Sequence, residues 1–311
     1  MTPDNDPPAS PARLNLSRFV YGTTRLGDAR IPVAERIAIA RAAMQAGVWF
    51  HTSRQYGDAL EVLRQAFDAD RAHVPRLIIK IGNDDLAQLR ANIRENIGAL
   101  GVDHIDTGQL CLGGAYAEQF RTGGACYDDF RRLRDEGLVR SFVLEVFPWT
   151  SKGPLEALRS GFPEGVVDAV IFYLNPLQRF ASNPLWDHLM ERGTPIVAMR
   201  TVCGAPVHQL RDVPGAAWAP YLQERAVQVA PLFEASGISD WTEFCMRFAF
   251  SFPQVQATVG STRHPANLAA FLRHAAPGRA EPLPHRILSP LLALQQRWSE
   301  TVDVQAKPWT M

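Results

Sequence analysis

The stretch RLIIKIG, residues 76–82, sets a lysine inside a run of branched apolar residues. An ammonium carried into such a strand must find a partner, open into a cavity or snorkel to the rim, because burying an unpaired charge is costly. Lys80 is therefore the first residue whose placement asks for chemistry, with a rim-lying side chain as the plain alternative. In VWFHTSRQYG, residues 48–57, His51 ends an apolar run and Tyr56 follows it. A phenol beside an ammonium is a candidate general acid, since a neighbouring cation lowers its pKa toward a useful range. Without that neighbour Tyr56 is as much a packing residue. Cys111, Glu145, Asn175 and Arg200 likewise interrupt the ends of apolar runs. A cysteine among apolar residues usually fills space, so Cys111 and His51, taken singly, read as structural. Cys111 as a nucleophile with His51 as its base would require the two within hydrogen-bond reach. Histidines and carboxylates in the pattern of a metal site are missing from these positions, so no metal is expected.

Eight short apolar runs carry these residues: 18–22, 48–53, 76–82, 104–112, 141–147, 168–175, 195–200 and 257–261, each rich in β-branched or aromatic residues. Amphipathic stretches lie between them. PVAERIAIARAAMQAG opens on a proline, repeats its apolar residues at helical spacing and closes on Gly47; LAQLRANIRENIGALG and YDDFRRLRDEG are built alike. Strand-helix units of this size, eight in succession, predict a single-domain (β/α)8 barrel. A doubly wound sheet would carry a glycine-rich phosphate loop after its first strand, and YGTTRLGD does not match one. In a barrel the active site forms at the carboxyl ends of the strands, where the polar residues named above fall. The interval after the seventh run is long, so an extra loop and helix over about 203–238 is expected as a substrate lid. The C-terminal segment is expected over the mouth. Trp218, Trp298 and Trp309 there either add aromatic surface to the mouth or pack against its rim.

Composition narrows the class of function. The chain has 311 residues, 46% of them apolar, enough for one large core. Its 32 basic and 32 acidic residues balance, giving no electrostatic footprint for nucleic acid or an anionic membrane. The partner expected is a small molecule; the oligomeric state is not legible. Four scattered cysteines form neither a zinc pattern nor a disulfide framework and read as reduced thiols of a cytoplasmic protein. Residues 1–14, polar and proline-rich, read as a disordered leader, with the barrel over 15–311.

Over about residues 15–300 the chain resembles the aldo-keto reductase superfamily. The family's D-T-A-x-x-Y-G is echoed by HTSRQYG, its T-K strand by LIIKIG, its G-V-D-Y-I-D-L-x-x-L-H by GVDHIDTGQLC, and its e-G-k-I-R-x-i-G-V-S-N-F by EGLVRSFVLEVF. YLNPLQR and VGSTRHPANLAAFL are similar to two later segments, the second of which binds phosphate in the family. The resemblance implies a barrel that binds NADPH at its mouth and reduces carbonyls with a tyrosine, a lysine, an aspartate and a histidine. Tyr56 and Lys80 match the first two; His51 stands at the aspartate position and Cys111 at the histidine position. An imidazolium at position 51 would repel the lysine, so a neutral His51 is expected, with Glu145 as a new partner for Lys80. The thiol of Cys111 would be a weak substitute for an orienting donor. The family positions that grip the nicotinamide are held by Glu145, Val146, Ile171 and Met199, and Asn175 alone keeps its side chain. Gly22, Thr23, Arg200, Gly260, Ser261, Thr262, Arg263 and Asn267 complete the cofactor positions, the last five supplying amides, hydroxyls and a cation suited to a phosphate.

Three functions remain open on this basis. The first is an NADPH-dependent oxidoreductase acting on a small carbonyl or alcohol, with Tyr56 as proton donor and Lys80 assisting. The second is a non-redox acid-base enzyme, such as a lyase, dehydratase, isomerase or cyclase, using Tyr56, Lys80, His51 and Glu145 at the same mouth. The third is a binding protein that keeps the barrel without catalysis.

Overall fold

The computed structural model describes residues 14–82, 85–111, 126–147, 152–159, 166–203 and 220–301. Its strands are β1 (Phe19–Gly22), β2 (Trp49–Thr52), β3 (Leu77–Gly82), β4 (Ile105–Cys111), β5 (Val139–Glu145), β6 (Ala169–Asn175), the two-residue β7 (Gln178–Arg179), β8 (Ile196–Met199) and β9 (Val255–Gly260). Eight of them pair in parallel. β9 joins β1, and β5 joins β6, so the sheet closes on itself in the order β1-β2-β3-β4-β5-β6-β8-β9. Closure removes the open edges, and the eight sequence runs coincide with these eight strands. The short β7 turns back antiparallel on β6 after Asn175.

Alternation along each strand separates two cores. Val20, Trp49, Ile78, Val143, Ala169, Ile171, Val197, Met199, Ala257 and Val259 face inward and fill the barrel. Leu14, which the sequence reading put in the leader, packs with Leu16 against this cluster. The intervening residues, including Phe19, Tyr21, Phe50, Leu77, Ile79, Phe142, Leu144 and Phe172, face outward into the layer between sheet and helices. The barrel is thus filled mainly by apolar side chains, and the polar residues singled out in the sequence stand toward its carboxyl end.

The helices close the units as their caps require. Among the described residues they are α1 (Val33–Gln45), α2 (Ala59–Ala69), α3 (Leu86–Leu100), α4 (Cys126–Asp135), α5 (Lys152–Arg159), α6 (Asn183–Arg192), α7 (Pro220–Ser236), α8 (Trp241–Ala249), α9 (Pro265–Ala275) and α10 (His285–Thr301). Asp85 caps α3 by accepting from the Gln88 amide, and Gly101 ends it at a φ of 62°. Of the expected lid, α7 is described and residues 204–219 lie outside the described residues, as do Trp218, Trp309 and the leader to residue 13. α7 packs on α10, where the Arg225 guanidinium lies 4.6 Å over the buried Trp298 ring. That tryptophan is a packing residue.

Two loops at the carboxyl end lock the peptide of Tyr56. A Cβ on Gly27 would lie 1.7 Å from the Tyr56 carbonyl oxygen, and one on Gly57, at a φ of 55°, 2.5 Å from the Gly27 oxygen. The buried Arg36 ties the same loops together, donating from Nη1 to the Leu26 carbonyl at 2.7 Å and to Asp58 at 2.5 Å. Gly27→Ala should therefore cost roughly 1–3 kcal/mol, as overpacking does, while preserving the barrel. Urea unfolding with far-ultraviolet dichroism measures both; unchanged stability would show that the two loops are not in this contact.

Candidate active site

The inward positions at the ends of β2 to β6 converge on one buried ion pair. Lys80 Nζ donates to Glu145 Oε1 at 3.1 Å, and the two side chains are only 8% and 1% exposed. The partner expected for the lysine is the one it has. β4 lies between their strands, with Lys80 in register with Gln109 and Cys111 with Glu145, so the long lysine stem reaches across a strand to the carboxylate. Cys111 ends β4, and its side chain is outside the described part of the structure.

His51 ends up neutral for reasons that can be read off its surroundings. Burial, reinforced by the nearby Lys80 ammonium, lowers its pKa from 6.5 to about 4, against the opposing pull of Gln109 and Glu145. Its Nε2 lies 2.6 Å from Gln109 Oε1. An amide oxygen only accepts, so Nε2 holds the single proton and Nδ1 is left as the acceptor. The Gln109 side-chain nitrogen is fully buried without a hydrogen-bond partner. The half-buried Tyr56 stands on the other side, its ring centroid 6.2 Å from that of His51 with planes tilted by 50°.

Gln109 and Tyr173 were missed from the sequence. Each carries the same signal as Lys80: a polar group on the inward period of a buried strand, two residues before Cys111 in one case and before Asn175 in the other. Tyr173 stacks on Phe180 at 4.4 Å and lies under the Arg200 guanidinium at 5.1 Å. Burial pushes its phenol above the ordinary range, opposed by the Arg200 and Lys80 cations.

The remaining expected positions surround this group. Asn175, fully buried, gives its amide to its own chain: Nδ2 donates to the Arg200 carbonyl at 3.0 Å and to Gln178 at 3.3 Å, while Oδ1 accepts from the Leu177 amide at 2.9 Å. Met199 belongs to the barrel filling. The Thr23 hydroxyl donates to that of Thr52 at 2.7 Å, out of solvent. Gly22 packs against Val259 and Gly260, and a Cβ on Gly260 would meet Phe271 and Phe19. Ser261 Oγ accepts from the Arg25 amide and Thr262 Oγ1 from the His264 amide, both at 3.1 Å. Arg263 is exposed and Asn267 half-buried, at the start of α9, whose cap residue His264 makes no side-chain capping bond. Among the described residues no cluster of histidine, cysteine or carboxylate could hold a metal, and no helix is long and apolar enough to cross a membrane. Cys126, Cys203 and Cys245 are free and buried.

Two measurements test this electrostatics. Lys80→Met takes the ammonium from a buried carboxylate and should cost roughly 3–5 kcal/mol in urea unfolding, with Lys80→Met/Glu145→Leu recovering most of it; equal losses in the single and double variants would contradict the pair. The folded His51 binds its proton less readily than the unfolded chain does. The stability it confers is whole above about pH 6.5 and is lost as pH falls toward 4. His51→Asn should flatten that part of the pH dependence of unfolding, and identical profiles in the two proteins would remove the assignment.

No protein-family model matches the chain, and no curated protein does. Among solved structures the fold is similar to an aldo-keto reductase from Bacillus halodurans in its holo form, with a TM-score of 0.66 and 18% identity over 90% of this chain and 93% of that one. It is equally similar, at a TM-score of 0.66 and 16% identity, to an aldo/keto reductase from Klebsiella pneumoniae in complex with NADP and acetate, over 90% of this chain and 91% of that one. At these identities the likeness is one of architecture: the chain has the barrel fold of the aldo-keto reductases, from first strand to last helix.

Proposed function

We propose that the protein is an NADPH-dependent oxidoreductase of the aldo-keto reductase type, acting on a small carbonyl or alcohol through a rebuilt site. The observation that carries this reading is the Lys80–Glu145 pair buried at the barrel mouth, with His51 within reach of its charges and the Tyr56 ring 6.2 Å from that of His51. A lysine neutralised by a carboxylate next to a phenol is the charge arrangement the family uses, with the carboxylate supplied here from β5 in place of β2. Tyr56 would donate its proton to the substrate oxygen, and the Lys80 ammonium would stabilise the phenolate left behind. The neutral His51 adds no second cation to oppose it.

The two ends of the cofactor position fit differently. Around the start of α9, the exposed Arg263 and the first-turn amides, which receive no side-chain cap, suit a phosphate. At the other end, Glu145 is held by Lys80, Val146 and Ile171 are apolar and buried, and Asn175 is filled by its own chain. A reduced nicotinamide bound there supplies a hydride, but the side chains that grip its carboxamide in the family are not offered. That mismatch favours a second reading, a non-redox acid-base enzyme in which Tyr56 is the acid and the Nδ1 of His51 the base.

NADPH binding separates the two. Calorimetric titration should show binding, and ligand at 100 times its dissociation constant should stabilise the fold by about 2.7 kcal/mol. Tyr56→Phe should abolish turnover of a carbonyl panel while leaving that stabilisation intact. No binding of NADPH or NADH overturns the oxidoreductase; full activity in Tyr56→Phe overturns the proton donor.

A further inference from the structure

Arg200 is the one non-glycine residue with a positive φ among the described residues, at 49°. A left-handed backbone at an arginine costs free energy and persists only where its surroundings enforce it. Here they do. The buried Asn175 amide holds the Arg200 carbonyl at 3.0 Å, and Asn175 is itself fixed by Leu177 and by Gln295 Nε2, which donates to its carbonyl at 2.8 Å. The guanidinium lies 5.1 Å over the Tyr173 ring. Tyr173 is in register with Met199 and packs on the barrel-filling cluster, so this cation lies over the mouth.

Among the described residues, the charges at the mouth leave Arg200 in excess. Lys80 and Glu145 cancel, and His51 is neutral. Among the described residues no carboxylate pairs with the Arg200 guanidinium. A half-buried guanidinium whose fork no described side chain fills is suited to a planar oxyanion, which it can meet with two parallel hydrogen bonds.

We propose that Arg200 binds the carboxylate of the substrate, and that the substrate class is small compounds bearing both a carboxylate and a carbonyl. This rests on the barrel mouth being the active site, as proposed above. The diphosphate of a nucleotide is the other oxyanion that could reach the same cation, and the test separates the two.

The probe is 4-carboxybenzaldehyde, with methyl 4-formylbenzoate as its uncharged twin and calorimetric titration as the first readout. Wild type should bind the carboxylate at least tenfold more tightly than the ester. Arg200→Asn keeps a residue that tolerates the left-handed backbone and should retain the melting temperature. It should weaken the carboxylate by about tenfold to a hundredfold, with the ester unchanged. Arg200→Lys should recover part of the loss. Equal affinity of wild type for acid and ester, or equal losses of both in Arg200→Asn, would overturn the proposal. Loss of NADPH affinity with the carboxylate unaffected would assign Arg200 to the nucleotide instead. Turnover is the second readout: acid bound through Arg200 but not reduced with NADPH would count against the oxidoreductase and leave the carboxylate site standing.

Discussion

Lys80 and Glu145 are each too costly to bury alone, and in the barrel mouth each makes the other tolerable. Much of the site follows from that dependence. Glu145 sits where the resemblance places a residue that grips a carboxamide, and while it neutralises the lysine its oxygen is spent. The ammonium adds to burial in disfavouring a proton on His51, so position 51 is forced to be neutral and must dispose of a single N–H. Gln109 accepts it from inside the barrel, 2.6 Å away. Burial and the ammonium thus set the charge of one neighbour, and Gln109 the tautomer that neighbour adopts.

The parallel barrel explains why such a rearrangement is open to this chain. All its strands end at one rim, so side chains from β2, β3, β4 and β5 approach a common point whichever strand carries which group. A charge pair depends mainly on distance and desolvation, and a lysine stem is long enough to find its carboxylate two strands away. Gripping a planar amide depends on direction as well, and cannot be moved from strand to strand so easily. Substitutions at the mouth can therefore conserve charge balance around Lys80 while dismantling directional contacts. Met199 and Ile171 belong to the barrel filling and offer no directional polar contact.

The barrel was legible because closure and strand alternation impose a period on the sequence that survives the loss of recognisable motifs. Lys80 and Glu145 were legible for the same reason, as charges where the period demands apolar residues. Gln109 and Tyr173 break the period in the same way and were overlooked, the amide because it lies one layer below the rim, the phenol because strands commonly carry tyrosine. What no pattern could supply was the direction of a hydrogen bond. Sequence matching retains Asn175 as a cofactor contact, while the folded chain shows its amide filled by Arg200, Gln178 and Leu177. Nor does sequence show that Arg200 takes a left-handed backbone, since nothing local about MRTV requires it.

Asn175 carries a wider point about how such a site should be read. A polar side chain contributes to binding through capacity it has left over, because displacing an existing buried hydrogen bond costs about what a new one returns. By that standard Asn175, Thr23, Ser261 and Thr262 all have hydroxyl or amide groups engaged within the protein. Among the described residues at the mouth, capacity is left over in the Arg200 guanidinium and in the buried Gln109 amide, whose nitrogen has no acceptor. Family matching passes over the position of Gln109 and gives that of Arg200 to the cofactor. In a mouth organised around a buried ion pair, the ligand that fits is set by where the unspent donors point.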